Sequence, residues 1–310
     1  MFKFDEKVKN TLRQKGNNDF IPFCELYQEY YELAQISFGE FGKVAERAIA
    51  FIDQAISMKK EVLITKRQYL KGSFSNEQHN LAGILFDDLS KKITRASREK
   101  ERMYIEGQYG IHLIFKTFKE IYYSTSACIN AISNDASKPV ALLLGTLVIE
   151  SDDIKVQEEL NEVRCIIDSA GIHSAYEIMG VSFNLLRKIS SSISCDIVHI
   201  AGHGSEHGTL ELVDRNISGN EFSILFYSQN PSLIFVNTCY AIRFSEEIKC
   251  NFNICITWGP WELMPSQAVD YAKSYYGFYA CGQDFYNSYT MSDGEGNGYF
   301  LITGRRPLYY

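Results

Sequence analysis

Some of the most informative features of this 310-residue chain are things it has little of. It has no run of about twenty uninterrupted apolar residues, which excludes a sequence-evident membrane-spanning helix. Its first ten residues, MFKFDEKVKN, alternate charge with apolar side chains and lack the apolar stretch of a signal peptide. None of the eight cysteines (Cys24, Cys128, Cys165, Cys195, Cys239, Cys250, Cys255, Cys281) belongs to a CxxC pair, so zinc-ribbon and dithiol redox motifs are absent. Scattered thiols in a chain of this length are expected to be reduced, mostly buried and kept in a reducing compartment. Basic residues are in deficit, with 31 Lys and Arg against 38 Asp and Glu. The resulting net charge of −7 excludes a chain-wide nucleic-acid footprint. Only six prolines occur and no segment is of low complexity, so no part is disordered by composition. These absences lead to the expectation of a soluble cytoplasmic protein that binds neither membrane nor nucleic acid directly.

What is present changes character near residue 135. Before it, Val44, Ala48, Phe51 and Ala55 step at helical spacing. Lys91 to Glu106 is rich in charged helix formers, and Tyr109, Leu113, Phe118, Ile121 and Tyr122 continue an amphipathic pattern. GSFSN (72–76) and GQYG (107–110) are the expected breaks. Residues 1–134 therefore read as a bundle of antiparallel helices, with no convergent set of catalytic groups.

SNDASKP (133–139) is a short polar linker, and strands then alternate with helices. VALLLGTLV (140–148) is apolar nearly throughout, as a strand covered on both faces should be. Further strands are expected at 172–178, 195–202, 232–239 and 252–259, with a last one in YFLIT (299–303). Helices are expected at 152–169, 182–192, 240–249 and 262–279. TLELVDRNISGNEF (209–222) reads as a small inserted hairpin. This order predicts an α/β fold over residues 138–310, a mostly parallel sheet with helices on both faces.

In such a sheet, chemistry collects at the carboxyl ends of the strands. One strand ends at Gly202-His203-Gly204-Ser205 and another at Asn237-Thr238-Cys239-Tyr240. If they are neighbours, an imidazole on a glycine-flanked loop lies beside a thiol at a helix start. A helix N-terminus and a nearby imidazolium both favour the thiolate, the reactive form of cysteine. His203 can activate Cys239 and protonate a leaving amine, while the backbone N–H groups of Gly204 and Cys239 face a developing oxyanion.

These residues resemble the caspase-like cysteine peptidases of clan CD, and within them the CHAT-domain branch. The resemblance lies in His199-Ile200-Ala201-Gly202-His203-Gly204, in Asn237-Thr238-Cys239 and in Thr257-Trp258-Gly259-Pro260, which occur in the family's order over roughly residues 138–285. The helical part is not covered by it. The resemblance implies a caspase-like sheet, a catalytic dyad of Cys239 and His203, and an oxyanion hole made by the N–H groups of Gly204 and Cys239. It also places Asn237 and Trp258 against the substrate. It implies no metal or organic cofactor, a protein substrate, and an activating or sensor partner docking on the helical domain, as in bacterial defence or cell-death pathways. Two departures bear on specificity. Thr238-Cys239-Tyr240 lacks the caspase Q-A-C-[RQG]-G pattern, so cutting after aspartate is not implied. Asn237 stands where relatives that cut after Arg or Lys often carry an acid.

Plainer readings set the remaining features in proportion. His199, His203 and His207 would bind one metal only on a helix, which Gly202, Gly204 and Gly208 oppose. His199 is expected inside the sheet and His207 on the surface. Cys195, Cys255 and Cys281 fit buried structural thiols. Trp258 and Trp261 either line a substrate wall or cap the core. Glu150, Asp152 and Asp153 read as the cap and first turn of a helix. SDGEGNG (292–298) reads as a loop rather than a phosphate site. The expected function is a cysteine endopeptidase, and the rival is a peptidase-like scaffold with an idle dyad.

Overall fold

A computed structural model describes residues 6–71, 77–105, 107–134, 137–146, 153–248 and 254–303. The chain divides into two compact units, with the main boundary between Asn134 and Asp135.

The first unit is helical. Its α-helices are α1 (Glu6–Gln14), α2 (Ile21–Glu29), α3 (Phe38–Phe41), α4 (Ala45–Ser57), α5 (Lys59–Lys71), α6 (Glu77–Ile105) and α7 (Gly107–Ser133). The apolar positions of α4 do turn inward: Ala48, Phe51, Ile52 and Ala55 are buried. α6 and α7 run antiparallel, because Asp88 meets Ser124 and Arg95 meets Glu120, so one index falls as the other rises. Aromatic rings form much of the core. Phe51 meets Phe118 edge-on at 5.0 Å and Tyr27 stacks on Tyr122 at 4.4 Å. The break expected at GQYG falls at its start, since α6 ends at Ile105 and α7 begins at Gly107, with GQYG as its first turn. The other expected break, GSFSN, lies outside the described residues.

The second unit is α/β. Its elements are β1 (Val140–Gly145), α8 (Asp153–Ala170), β2 (Ser174–Met179), α9 (Phe183–Ser190), β3 (Ile197–Gly202), β4 (Thr209–Glu211), β5 (Asn216–Ser218), α10 (Gly219–Phe226), β6 (Leu233–Thr238), α11 (Ala241–Ile248), β7 (Ile254–Trp258), α12 (Pro265–Ala280), α13 (Phe285–Met291) and β8 (Tyr299–Thr303). The main sheet has the order β2-β1-β3-β6-β7-β8, and β4 pairs with β5 in a separate hairpin. All pairings in the main sheet are parallel except β7 with β8. Every residue of β1, β2 and β6 is buried, as near-continuous apolar runs in a covered sheet should be.

Helices cover both faces. Phe235 of β6 packs on Tyr275 and Tyr276 of α12, and its partner in register, Ile256, shares that face. Thr257, next along β7, points the other way and hydrogen-bonds Ser245 of α11. α8 joins α12 through Lys273 and Glu162, and α10 packs on both α9 and α11. The helix α13 was not foreseen. Its polar sequence FYNSYTM carries little periodicity, and the Asp284 side chain capping Asn287 N–H defines its start. No described helix is long and apolar enough to cross a membrane.

Candidate active site

β3 and β6 are immediate neighbours, and their last paired residues are Gly202 and Thr238. The next residue on each chain is therefore His203 on one side and Cys239 on the other, at the carboxyl end of the sheet. Both are half-buried. Gly202 sits at φ +149°, and a Cβ there would run into the Thr146 side chain. That close approach lets the Thr146 hydroxyl, just past β1, accept the His203 backbone N–H at 2.9 Å. Gly204 is equally constrained, because a Cβ would collide with the Cys239 carbonyl.

The loop after His203 turns back on itself. Gly204 bridges Leu210 antiparallel, with ladder bonds from Ser205 N–H to the Thr209 carbonyl (2.9 Å) and from Glu211 N–H to the His203 carbonyl (3.0 Å). These flanking bonds mean that the Gly204 N–H faces away from the hairpin and is not used by its ladder. The Cys239 N–H lies one residue past β6, beside the Gly202–Thr238 pairing. Arg243 of α11 donates to the Glu206 carbonyl at 2.5 Å, tying the histidine loop to the helix that follows the cysteine.

Cys239 differs from the other described cysteines. Cys24, Cys128, Cys195 and Cys255 are buried, and burial pushes the Cys255 thiol up to about 12. Cys281, expected inside, is exposed because it falls at the C-terminal cap of α12. The sulphur of Cys239 accepts the Leu263 N–H at 3.3 Å, a bond that a charged sulphur accepts more strongly than a neutral one. Tyr240 follows at φ +52°, a left-handed conformation uncommon for a tyrosine, which turns the chain sharply into α11. Its N–H is held by the Trp261 carbonyl at 3.0 Å. Burial holds the His203 imidazole below its ordinary value, with the Glu211 charge acting in the opposite sense. His203 is thus biased toward the neutral form that can take a proton.

Two expectations about substrate contact are corrected. Asn237 is only 2% exposed and faces inward. Its amide donates to Glu159 Oε1 (2.6 Å) and the Ala268 carbonyl (3.1 Å), and its oxygen accepts from Tyr299 (2.6 Å). Both amide protons of Asn237 are thus engaged in the core and its oxygen is already bonded there, so it faces the interior rather than a substrate. Trp258 is also buried, with its indole N–H given to the Trp261 carbonyl at 3.1 Å. The exposed indole is Trp261, which meets the exposed Phe300 ring at 6.3 Å. Exposed Met264 follows on the same loop.

The other two histidines of the 199–208 stretch fall where expected. His199 is fully buried, bonded by Nε2 to Glu159 (2.7 Å) and by Nδ1 to Tyr276 (3.3 Å), and His207 is exposed. No group of three or more potential metal ligands occurs among the described residues. Glu150 and Asp152 lie outside those residues, and Asp153 is the first residue of α8. SDGEGNG is a turn-rich segment between α13 and β8.

Sequence reasoning missed Leu263 and Thr146 at the site, while of the two tryptophans it offered for a substrate wall only Trp261 is exposed. Leu263 acts through its main chain, which no residue type signals. Thr146 contributes through a close approach between strands that only the folded sheet brings about. No family model matches the chain, and no curated protein does.

Proposed function

We propose that the chain is a cysteine endopeptidase of the caspase-like CHAT type, with Cys239 as nucleophile and His203 as its acid–base partner. The observation that carries this reading is the parallel register of β3 and β6, which sets the residues after Gly202 and Thr238 side by side. The partial exposure of Cys239 and its Leu263 N–H donor suit a nucleophile.

In the proposed reaction the Cys239 thiolate attacks a peptide carbonyl, and the N–H groups of Gly204 and Cys239 receive the developing oxyanion. His203 then gives its proton to the leaving amine as the C–N bond breaks. A water deprotonated by His203 attacks the thioester, releasing the new carboxylate and regenerating the thiol. The substrate is a polypeptide. Trp261, Phe300 and Met264 supply an exposed apolar surface near the nucleophile for its side chains. By the same resemblance, the helical unit is the docking site of an activating or sensor protein in a defence or cell-death pathway.

The test is proteolysis of a whole-cell lysate with wild type and Cys239→Ala, mapping new N-termini. Cuts found only with wild type are expected, and their flanking residues define the specificity. Identical maps, with candidate activators from the same source added, would instead favour a scaffold with an idle dyad.

A further inference from the structure

The short loop Gly259–Met264 leaves β7 at Trp258 and delivers the chain to α12 at Pro265. Pro260 and Pro265 bracket it and narrow the backbone conformations open to it. Its main chain is fastened at two points to the segment that carries Cys239. The Trp261 carbonyl accepts both the Tyr240 N–H (3.0 Å) and the Trp258 indole N–H (3.1 Å). Two residues on, Leu263 meets the Cys239 sulphur itself: its N–H donates at 3.3 Å, and its carbonyl lies 4.0 Å away. A protonated sulphur can use both groups. A charged one can only accept, so the N–H is the contact that strengthens as charge develops.

The side chains that flank this contact are apolar and open to solvent. Trp261 is 45% exposed and Met264 61% exposed, whereas Leu263 between them is half-buried. The Trp261 ring folds back over Gly259, where a Cβ would run into it, and rests edge-on against Trp258 at 5.9 Å. Packing thus fixes the indole and leaves one side of it free. A side chain settling there bears on the same stretch of backbone that holds the sulphur.

We propose that this loop couples substrate recognition to the nucleophile: the Leu263 N–H is a catalytic group that receives charge on the Cys239 sulphur, and Trp261 and Met264 beside it take an apolar side chain of the cleaved polypeptide. This rests on Cys239 being the nucleophile of the peptidase proposed above. The N–H acts twice in the cycle. It supports the thiolate before the C–S bond forms, and again when the thioester breaks and the electron pair returns to sulphur. Recognition by such an element is expressed in kcat, because a docked side chain steadies the backbone that carries the N–H.

The experiment measures iodoacetamide alkylation of Cys239 in the full-length protein, with the exposed Cys165 and Cys281 as internal references. Cleavage of a peptide taken from a mapped cut site is followed in parallel. Leu263→Pro removes the N–H and should slow alkylation and lower kcat about tenfold each, with KM held. Leu263→Ala keeps the N–H and should lose far less. Should Leu263→Pro fail to fold, the α-hydroxy analogue of leucine at 263 removes the same N–H, as an ester, without adding a ring. On a second peptide with its apolar residue replaced by Ala, kcat should fall in wild type, and Trp261→Ala should erase that difference. Equal losses in Leu263→Pro and Leu263→Ala, or none in either, overturn the role of the N–H. A difference between the peptides confined to KM overturns the coupling. If alkylation slows as expected but wild type, with candidate activators added, cuts nothing, the peptidase reading fails. The substrate half of the proposal then falls with it, while the hold on the sulphur stands.

Discussion

Two polar clusters lie on the same pair of strands, a few residues apart, and they differ in nearly every property that matters. The inner one, His199 with Asn237 and Glu159, is sealed: each of these residues is at most 2% exposed and bonded to the others or to Tyr276 and Tyr299. The outer one, His203 with Cys239, is half-open to solvent, lies at strand ends and sits on backbone that needs glycine or a left-handed turn. The comparison teaches that residue type alone does not separate structural from reactive groups. Saturation and burial make the first cluster part of the core. Exposure and strain suit the second to chemistry.

The largest effect that tests this contrast comes from Cys239→Ala, expected to lower cleavage at least about a thousandfold. Its thermal unfolding midpoint should stay close to wild type, because no core group is lost. His203→Ala should also remove any advantage of Cys239 over the exposed Cys165 and Cys281 in alkylation by iodoacetamide, read by mass spectrometry. Equal labelling of all three in wild type would erase the distinction between the clusters.

Next in size is Gly204→Ala. Its Cβ meets the Cys239 carbonyl and displaces an N–H assigned to the oxyanion, so kcat should fall about a hundredfold. Unchanged kcat would remove Gly204 from the site.

Asn237→Ala should behave in the opposite way. It strips a donor from the buried Glu159 and an acceptor from Tyr299, costing about 2–3 kcal/mol in denaturant unfolding. If stability is unaffected while substrate KM rises, Asn237 belongs to the substrate after all.

Trp261→Ala should be milder, reducing selectivity among cut sites by about tenfold or less, whereas Trp258→Ala should mainly destabilise. Comparing the two by mapped N-termini and by unfolding separates a wall from a core residue.

The smallest effect is a shift in pH. Burial lowers the His203 value in the fold, so the neutral base persists as pH falls and is lost only below the ordinary histidine value of about 6.5. The acid limb of the cleavage profile should therefore have its midpoint below that value. A limb at or above it would contradict the burial of the ring.

Much of this was legible without coordinates. The switch from helical spacing to apolar strand runs marks the second unit, and the expected strands coincide with β1, β2, β3, β6, β7 and β8 to within about two residues at most ends. Strong patterns survive because periodicity reports the solvent boundary directly. The site was half legible. His203, Gly204 and Cys239 stand out as glycine-flanked or strand-terminal residues, and the fold makes their strands neighbours. Asn237 and Trp258 were misplaced because adjacency in sequence to a reactive residue says nothing about which way a side chain turns. In β6, the alternation that leads to Cys239 also turns Asn237 onto α8 and α12.

The sequence alone determined the class of fold and the chemical types available at its strand ends, since those follow from local periodicity and residue identity. Tertiary structure decided which strands became neighbours, that Asn237 and Trp258 were sealed, and that a main-chain amide at Leu263 would meet the sulphur. Those outcomes depend on contacts between residues dozens of positions apart, and no local pattern encodes them.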